Sequence, residues 1–407
     1  MDIAEAKALV IEAGKRLVES GLIARTWGNV SCRVSDTQFV ITPSGRAYET
    51  LTPEEIVLVN IADLSYDGDV KPSSEKGIHA SAYRLRREVN FVIHTHQRNA
   101  SVVSAVGTDI NNITGDARTV LGDSVTCAAY GLPGTGKLRK GVVAAINRTS
   151  GKAVIMAHHG ALCMGGDYDE AFLVAKTLED VCESFLVERY KMFKSDAGDT
   201  FSSLRDYVTD VFVSGDTKKK YAPVFTPCES ERLGDCFSIT EDGSRDTAVI
   251  DLKSGALVGG RDLPDSADMH MAVYKKRADI NSIIHSADED IVAVSKGGRS
   301  LKPYLDDFAQ LVGPTIRTAV FNPSDTLATG KKVAKALKGR NAVLLKNNGA
   351  LCAAGTKSDA EAVELVCAKE CRTHVGAELF GTGKPISPVE TRLMRLIYLK
   401  KYSKQKK

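Results

Sequence analysis

Apolar residues recur along this chain with the two spacings that are typical of helices and of buried strands. In residues 2–19 the apolar positions follow a helical period, and the pattern stops at Gly21, which predicts an opening helix. Residues 168–192 predict a longer helix with one buried stripe, formed by Ala171, Val174, Leu178, Val181 and Phe185. Three short runs rich in β-branched residues predict strands, namely QFVIT (38–42), NFVIHTH (90–96) and AVIMA (153–157). This alternation predicts α/β sheets with helices packed on them.

A long internal repeat runs through the chain. Residues 79–107 resemble residues 270–298 at an offset of 191, and residues 152–166 resemble residues 341–355 at an offset of 189. The paired residues are His79 and His270, Tyr83 and Tyr274, His94 and His285, Gly160 and Gly349, Cys163 and Cys352, and Cys182 and Cys371. Two matches in the same order at nearly one offset indicate two copies of one domain in tandem.

A polar, irregular stretch separates the two copies. It includes KSDAGDTF (194–201) and SGDTKKKYAP (214–223). We place the boundary near residue 215, which predicts a first domain at 1–215 and a second domain at 216–407.

The composition is that of a globular protein. Hydrophobic residues make up 43% of the chain and charged residues 26%, which argues against a disordered or fibrous protein. No apolar run approaches the ~18 residues of a transmembrane helix, and the N-terminus lacks the basic and apolar segments of a signal peptide. The nine cysteines form no CxxC pair. We therefore predict a cytoplasmic protein with reduced thiols and no membrane contact.

The net charge of +3 has a local source. Residues 392–407 carry seven Lys or Arg and no acidic residue, so the remainder of the chain has a net charge of −4. A basic terminus can bind phosphate or nucleic acid, but the interpretation we favour is a solvated, frayed end. We expect no nucleic-acid binding by the body of the protein.

Histidines mark two places that suit metal ligation. His94 and His96 lie two residues apart on a predicted strand, so both imidazoles face the same way. His158-His159-Gly160 follows the strand at 153–157, and a turn there presents a side chain at the rim of the sheet. Imidazole is a common metal ligand, although either pattern alone is more often a packed or turn histidine.

A third cluster, KPSSE (71–75), precedes a helix that we predict near residues 77–87. Serines at a helix start usually cap it, and a glutamate in the first turn complements the helix dipole. The exposed amides of such a start also bind anions. Capping alone explains these residues unless other segments converge on the same place.

Five segments together resemble the class II aldolase/adducin family. They are GNVSCR (28–33), ITPSGRAYETLTPEEIV (41–57), KPSSEKGIH (71–79), VIHTH (92–96) and HHG (158–160). The resemblance covers residues 1–195, and the second copy resembles the same fold over 230–380 with eroded motifs. It implies two tandem class II aldolase-like α/β domains, each a central, mostly antiparallel β-sheet sandwiched by helices.

The resemblance also implies a role for each matching residue. Glu75, His94, His96 and His159 match the family's ligands of a divalent metal, usually Zn²⁺, with Mn²⁺ or another divalent ion as the alternative. Glu75 also matches the family's catalytic acid/base. The residues that match the segments binding a substrate phosphate are Gly28, Asn29, Ser44, Gly45, Ser73 and Ser74.

The activity implied by the resemblance is that of a metal-dependent aldehyde-lyase. It would cleave a phosphorylated, fuculose-phosphate-like ketose to dihydroxyacetone phosphate and an aldehyde through a metal-stabilised enediolate. A glutamate at position 75 favours the aldolase branch over the epimerase branch. A sugar-phosphate 4-epimerase, a decarboxylase and a dehydratase use the same site and remain alternatives, as does a non-catalytic, adducin-like assembly protein. The family's four-fold rings imply a homodimer of this chain that forms a pseudo-four-fold ring.

The second copy departs from the family at the expected ligands. His96 maps to Ala287, His159 to Asn348, and Glu75 to Ser266 or, with a gap at Pro264, to Ala267. A catalytic zinc site needs about three protein ligands. We therefore predict that the second copy binds no metal in this way.

The first copy departs from the family in one respect. The stretch at 112–118 lacks the tyrosine that the family's aldolase has there. The group that transfers a proton on the aldehyde side is therefore unassigned, and the candidates are Asp116, Tyr130, Tyr398 and Tyr402.

Overall fold

The structure is a computed structural model, and it describes residues 1–23, 27–213, 226–320 and 325–402. The predicted domain boundary near residue 215 lies outside the described residues.

The chain forms two compact units. The first holds Met1–Phe201 together with residues 380–384 and 397–402. The second holds residues 202–379 and 385–396.

The first unit is built on one eight-stranded sheet with the strand order β3-β2-β1-β4-β8-β7-β6-β5. Its elements are α1 (Ile3–Glu19), β1 (Asn29–Arg33), β2 (Gln38–Ile41), β3 (Val57–Asn60), α2 (Lys76–Leu85), β4 (Phe91–Thr95), α3 (Arg98–Val106), β5 (Ile110–Asn111), α4 (Gly115–Leu121), β6 (Ser124–Ala128), α5 (Gly136–Arg148), β7 (Ala153–Met156), β8 (Gly160–Gly165) and α6 (Tyr168–Lys191). Neighbouring strands are antiparallel except β6 and β7, which are parallel.

Helices cover both faces of this sheet. On one face, Ile78 of α2 and Val142 of α5 pack with Val92 of the central strand in one buried apolar cluster. Helices α1, α3 and α6 pack on the sheet as well, and Val10 and Leu178 of α1 and α6 are fully buried. This layering confirms the predicted sheet sandwiched by helices.

The second unit repeats this plan. Its sheet has the order β12-β11-β10-β9-β13-β16-β15-β14, again with one parallel pair, β14 and β15. Its elements are α7 (Phe201–Val208), β9 (Cys228–Leu233), β10 (Cys236–Glu241), β11 (Thr247–Asp251), β12 (Leu257–Gly259), α8 (Ala267–Lys276), β13 (Ser282–Ser286), α9 (Glu289–Ser295), α10 (Asp306–Leu311), β14 (Arg317–Ala319), α11 (Thr326–Ala336), β15 (Ala342–Leu345), β16 (Ala350–Ala354), α12 (Lys357–Phe380) and α13 (Pro388–Ile397). The prediction of two tandem α/β domains is therefore confirmed.

The elements predicted from periodicity are present, with one correction in α6. Its buried stripe does not continue through Val181 and Phe185, which are only half-buried. It continues instead through Cys182 and Leu186, both fully buried. From Leu178 onward the buried positions advance in steps of four, so the buried face turns gradually around the helix.

No helix in the described part of the chain is both long and apolar enough to cross a membrane.

Candidate metal centre

The candidate centre lies at the end of the central strand β4. Side chains two residues apart on a strand face the same side, so His94 shares the face of Val92, which packs beneath α2 and α5. His96 follows directly after the strand, and its Nε2 atom lies 3.1 Å from Nε2 of His94. Both side chains are buried. The predicted pairing of these two imidazoles on one face is therefore present.

The turn between β7 and β8 brings in the third histidine. His158 adopts a φ of 62°, in the left-handed region, and this tight turn presents His159 toward β4. Gly160 makes the approach possible, since a Cβ there would lie 2.1 Å from the carbonyl oxygen of Thr95. The His159 ring stacks on that of His94 with centroids 4.8 Å apart and an interplanar angle of 21°.

The three rings form a donor set that fits a divalent metal. One nitrogen atom from each of His94, His96 and His159 lies within 4.8 Å of the other two. Nδ1 of His94 donates to the carbonyl oxygen of Ala161 at 2.9 Å, which leaves its Nε2 as a lone-pair donor. Burial lowers the pKa of His94, so its imidazole is neutral at pH 7. Neutral, buried imidazoles oriented by backbone carbonyls are what zinc centres use.

Glu75 lies beside these rings at the N-terminal end of α2. Its Oε1 is 2.8 Å from Nε2 of His159 and its Oε2 is 3.3 Å from Nε2 of His94. The amide of Asn29 donates to Oε2 at 3.0 Å. Burial opposes ionisation, but His159 and the hydrogen bond from Asn29 outweigh it and hold the pKa of Glu75 well below its usual value. The carboxylate is therefore an anion within reach of the donor set.

The predicted phosphate segments lie next to one another. The Ser44 amide donates to the carbonyl oxygen of Lys71, and the Ser73 amide donates to that of Thr42. The Thr42 hydroxyl in turn accepts from the amide of Val30, directly after Gly28-Asn29. Ser44 is half-buried, Gly45 and Ser74 are exposed, and Ser73 is buried, with its hydroxyl accepting from the Glu75 amide at 3.2 Å. Three separate stretches of sequence thus meet close to Glu75.

The candidates for proton transfer differ in position. The ring of Tyr130 meets the ring of His158 edge-on, with centroids 5.2 Å apart, one residue away from His159. Asp116 is exposed at the start of α4. Tyr398 lies in a short helical turn at Tyr398–Tyr402. Tyr130 is therefore the candidate with a contact beside a histidine of the centre.

Sequence reasoning missed the buried groups behind Glu75. Nε2 of His79 lies 2.5 Å from Oδ1 of Asn29, and Nδ1 lies 2.6 Å from the hydroxyl of Ser31. That hydroxyl is 2.7 Å from the hydroxyl of Tyr83. Burial lowers the pKa of His79 to about 4. The repeat, which pairs His79 with His270 and Tyr83 with Tyr274, was the signal that could have found them.

The corresponding place in the second unit is built differently. Glu75 precedes α2 as Ser266 precedes α8, so the alternative alignment with Ala267 is wrong. Nε2 of His285 donates to the carbonyl oxygen of Asn348 at 2.7 Å. The nitrogen that corresponds to the candidate ligand atom of His94 is therefore used in a backbone hydrogen bond.

Comparison with known proteins identifies the family. The family model described as "Class II Aldolase and Adducin N-terminal domain" matches residues 8–186 and 236–375. The chain belongs to this family.

Similarity to curated proteins indicates the class of enzyme. L-fuculose phosphate aldolase of Escherichia coli K12 is 32% identical over 177 residues, which is 44% of this chain and 80% of that protein. 5-Deoxy-D-ribulose 1-phosphate aldolase of Bacillus thuringiensis serovar kurstaki is 32% identical over 172 residues, which is 42% of this chain and 79% of that protein. A solved structure of an L-fuculose 1-phosphate aldolase has a TM-score of 0.43 at 27% identity, and the match covers 48% of this chain and 89% of that one. These curated relatives indicate a lyase of the aldolase type.

Proposed function

We propose that this chain is a metal-dependent aldehyde-lyase that cleaves a fuculose-phosphate-like ketose phosphate to dihydroxyacetone phosphate and an aldehyde. The observation that carries the proposal is the convergence of nitrogen atoms of His94, His96 and His159 beside the carboxylate of Glu75. The substrate class is supported by the curated relatives, which are named as aldolases of L-fuculose phosphate and 5-deoxy-D-ribulose 1-phosphate.

The metal is part of this proposal. His94, His96 and His159 would hold it, with Glu75 as a further ligand that substrate can replace. We propose Zn²⁺, with Mn²⁺ or another divalent ion as the alternative. A bound divalent ion supplies a Lewis acid that stabilises negative charge developing on a substrate carbonyl oxygen.

The chain's own groups supply proton transfer. Retro-aldol cleavage removes a proton from a substrate hydroxyl and breaks the adjacent carbon–carbon bond. A proton is then returned to the carbon of the broken bond that belongs to the fragment with the phosphate. Glu75 is held as an anion by its neighbours, so it can accept a proton and give it back to the substrate. Its burial, with 7% of its surface exposed, limits access of competing water.

The phosphate segments would fix the position of the substrate. We propose that Gly28, Asn29, Ser44, Gly45, Ser73 and Ser74 frame the phosphate subsite, as the family resemblance implies. Their hydrogen-bonded arrangement next to Glu75 supports this assignment. Binding the phosphate there would place the reacting carbons within reach of Glu75, and correct placement can contribute a large part of the rate.

The assembly and location are also proposals. We propose a homodimer that forms a pseudo-four-fold ring, because each chain holds two domains of the family. Light scattering that found a fully active monomer would contradict this. A cytoplasmic location is supported by nine cysteines that are all free, as a reducing compartment requires. We propose no nucleic-acid and no membrane partner.

The decisive experiment incubates the purified protein with a panel of ketose 1-phosphates and traps released aldehyde, with metal content measured on the same sample. We expect aldehyde release, about one tightly held divalent ion per chain, loss of activity with a chelator, and recovery when metal is added back. Isomerised product, carbon dioxide or loss of water without aldehyde would favour the epimerase, decarboxylase or dehydratase. A chain that held no metal and turned over no substrate would favour an assembly protein.

A further inference from the structure

The side chain of Asn29 is enclosed, and both ends of its amide are engaged. It is 6% exposed. Its Nδ2 lies 3.0 Å from Oε2 of Glu75, and its Oδ1 lies 2.5 Å from Nε2 of His79. The amide therefore bridges a candidate catalytic carboxylate and a buried histidine.

The groups around Asn29 determine which end of its side-chain amide faces Glu75 and which end faces His79. An ionised carboxylate only accepts hydrogen bonds, so Glu75 requires the NH₂ end of Asn29 to face it. The oxygen of Asn29 then faces His79, whose Nε2 must carry a proton and donate. Nδ1 of His79 consequently accepts from the hydroxyl of Ser31, which itself accepts from the hydroxyl of Tyr83. Each group in this chain therefore donates its hydrogen bond to the next group, from Tyr83 to Glu75.

We propose that Asn29 is a positioning residue for Glu75, held in the required amide orientation by His79 and Ser31. It would act by fixing one carboxylate oxygen through a hydrogen bond from its side chain, so that its place in the proposed phosphate subsite would be filled by its backbone and not by its amide group. The inference deepens the proposed function and rests on it, because the role of Glu75 belongs to that proposal.

The second unit has the corresponding buried serine, histidine and tyrosine but lacks the asparagine that forms the bridge. Asn29 pairs with His94 across the sheet, and Cys228 occupies the same register opposite His285. The Cys228 sulfur lies 3.2 Å from the hydroxyl of Ser266, the residue that corresponds to Glu75, and 3.3 Å from Nε2 of His270. The amide is thus missing in the unit that also lacks the carboxylate, as expected if the amide serves the carboxylate.

The variant Asn29→Ala tests the proposal, with Cys228→Ala as the matched control in the second unit. We expect Asn29→Ala to lower kcat by about 10–100-fold, as the loss of a group that orients a metal-site residue does. The KM for substrate and the inhibition constant of inorganic phosphate should stay within about two-fold. The control should leave all three unchanged. A KM and a phosphate inhibition constant that rise together, with kcat preserved, would overturn the proposal in favour of phosphate binding by the side chain.

A double-mutant cycle gives a readout that does not depend on turnover. The dissociation constant for Zn²⁺, measured by competition with a chelator, should rise in Asn29→Ala and in Glu75→Gln. The double variant should bind Zn²⁺ no more weakly than Glu75→Gln alone, because Asn29 acts through Glu75. Additive effects would refute the inference. If the parent protein turned over no ketose phosphate, the proposed function would fail while this cycle still decided the role of Asn29.

Folding of the variants is checked by thermal melting. If Asn29→Ala does not fold, Asn29→Ser replaces it in both experiments, since Cys228 shows that this register accommodates a side chain of that size.

Discussion

The two units share a buried frame that is nearly identical. In the first, Ser31 bonds to His79 and Tyr83 at 2.6 and 2.7 Å. In the second, Ser230 bonds to His270 and Tyr274 at 2.7 and 2.8 Å. The guanidinium of Arg33 stacks over Tyr83 at 4.8 Å, as that of Arg232 stacks over Tyr274 at 4.9 Å. This frame joins β1 to α2 in the first unit and β9 to α8 in the second.

The units differ where the frame meets the candidate metal centre. The first has an amide, a carboxylate and three imidazoles there, whereas the second has Cys228, Ser266, Ala287, Asn348 and a single histidine, His285. The shape of the turn is nevertheless kept, because Asn347 has a φ of 62°, as His158 does. The fold therefore tolerates loss of the chemistry, and the difference between the units separates residues that build the domain from residues that would build the site.

The largest expected effect comes from replacing His159 of the first unit with asparagine, the residue at the corresponding position of the second unit. In His159→Asn the donor set loses one of three imidazoles. Loss of an outer group costs a metal site about 10–100-fold in affinity, so loss of a ligand should exceed ~100-fold and abolish lyase activity. Metal analysis after dialysis and the aldehyde assay measure both.

The matched control is Asn348→His in the second unit. It should not raise the metal content above that of the parent, because Ala287 and Ser266 still supply neither the imidazole nor the carboxylate of the first unit. A second ion bound by this variant would break the distinction between the units.

The next effect concerns the carboxylate. Glu75→Gln keeps three imidazoles, so the variant should still bind one ion when Zn²⁺ is in excess. Its kcat should fall by about 10²–10⁴, the usual contribution of a general acid/base. Ser266→Ala, at the same position before α8, should leave kcat unchanged. An active Glu75→Gln enzyme would remove Glu75 from the proposed mechanism.

A smaller effect is expected from the shared frame. Ser31→Ala removes one buried hydrogen-bond partner from both His79 and Tyr83. Ser230→Ala does the same to His270 and Tyr274. Each change should lower the free energy of unfolding by about 1–3 kcal/mol, measured by denaturant titration. Only Ser31→Ala should also lower kcat, since only its chain of hydrogen bonds reaches Glu75. Equal kcat losses in both variants would mean that the effect is one of stability alone.

Much of this comparison could be predicted from the sequence. The repeat aligned His94 with His285, and the spacing of His94 and His96 on a strand predicted their shared face. What could not be predicted is the amide of Asn29, because the orientation of a side chain depends on partners that are distant in sequence, here Glu75 and His79. The alignment of Glu75 likewise stayed ambiguous until the starts of α2 and α8 fixed Ser266 as its counterpart. The edge of the α6 stripe was missed because burial at Val181 depends on packing, which periodicity alone does not specify.

The smallest effect is a pH dependence that the two units should share. Burial lowers the pKa of His79 to about 4 and that of His270 to about 3, below the ~6.5 of an unfolded chain. The unfolded state therefore binds protons that the folded state does not bind. The contribution of each histidine to the free energy of unfolding is present above pH 6.5 and declines as the pH falls toward the pKa of the folded state. Between pH 7 and pH 5.5 each histidine should lower the free energy of unfolding by about 1.2 kcal/mol. Denaturant unfolding of His79→Gln and His270→Gln should each show a pH dependence smaller by that amount than the parent's. If only one variant did so, the two buried frames would not be equivalent. The other histidine could then no longer be counted among the residues that play the same structural role in both units.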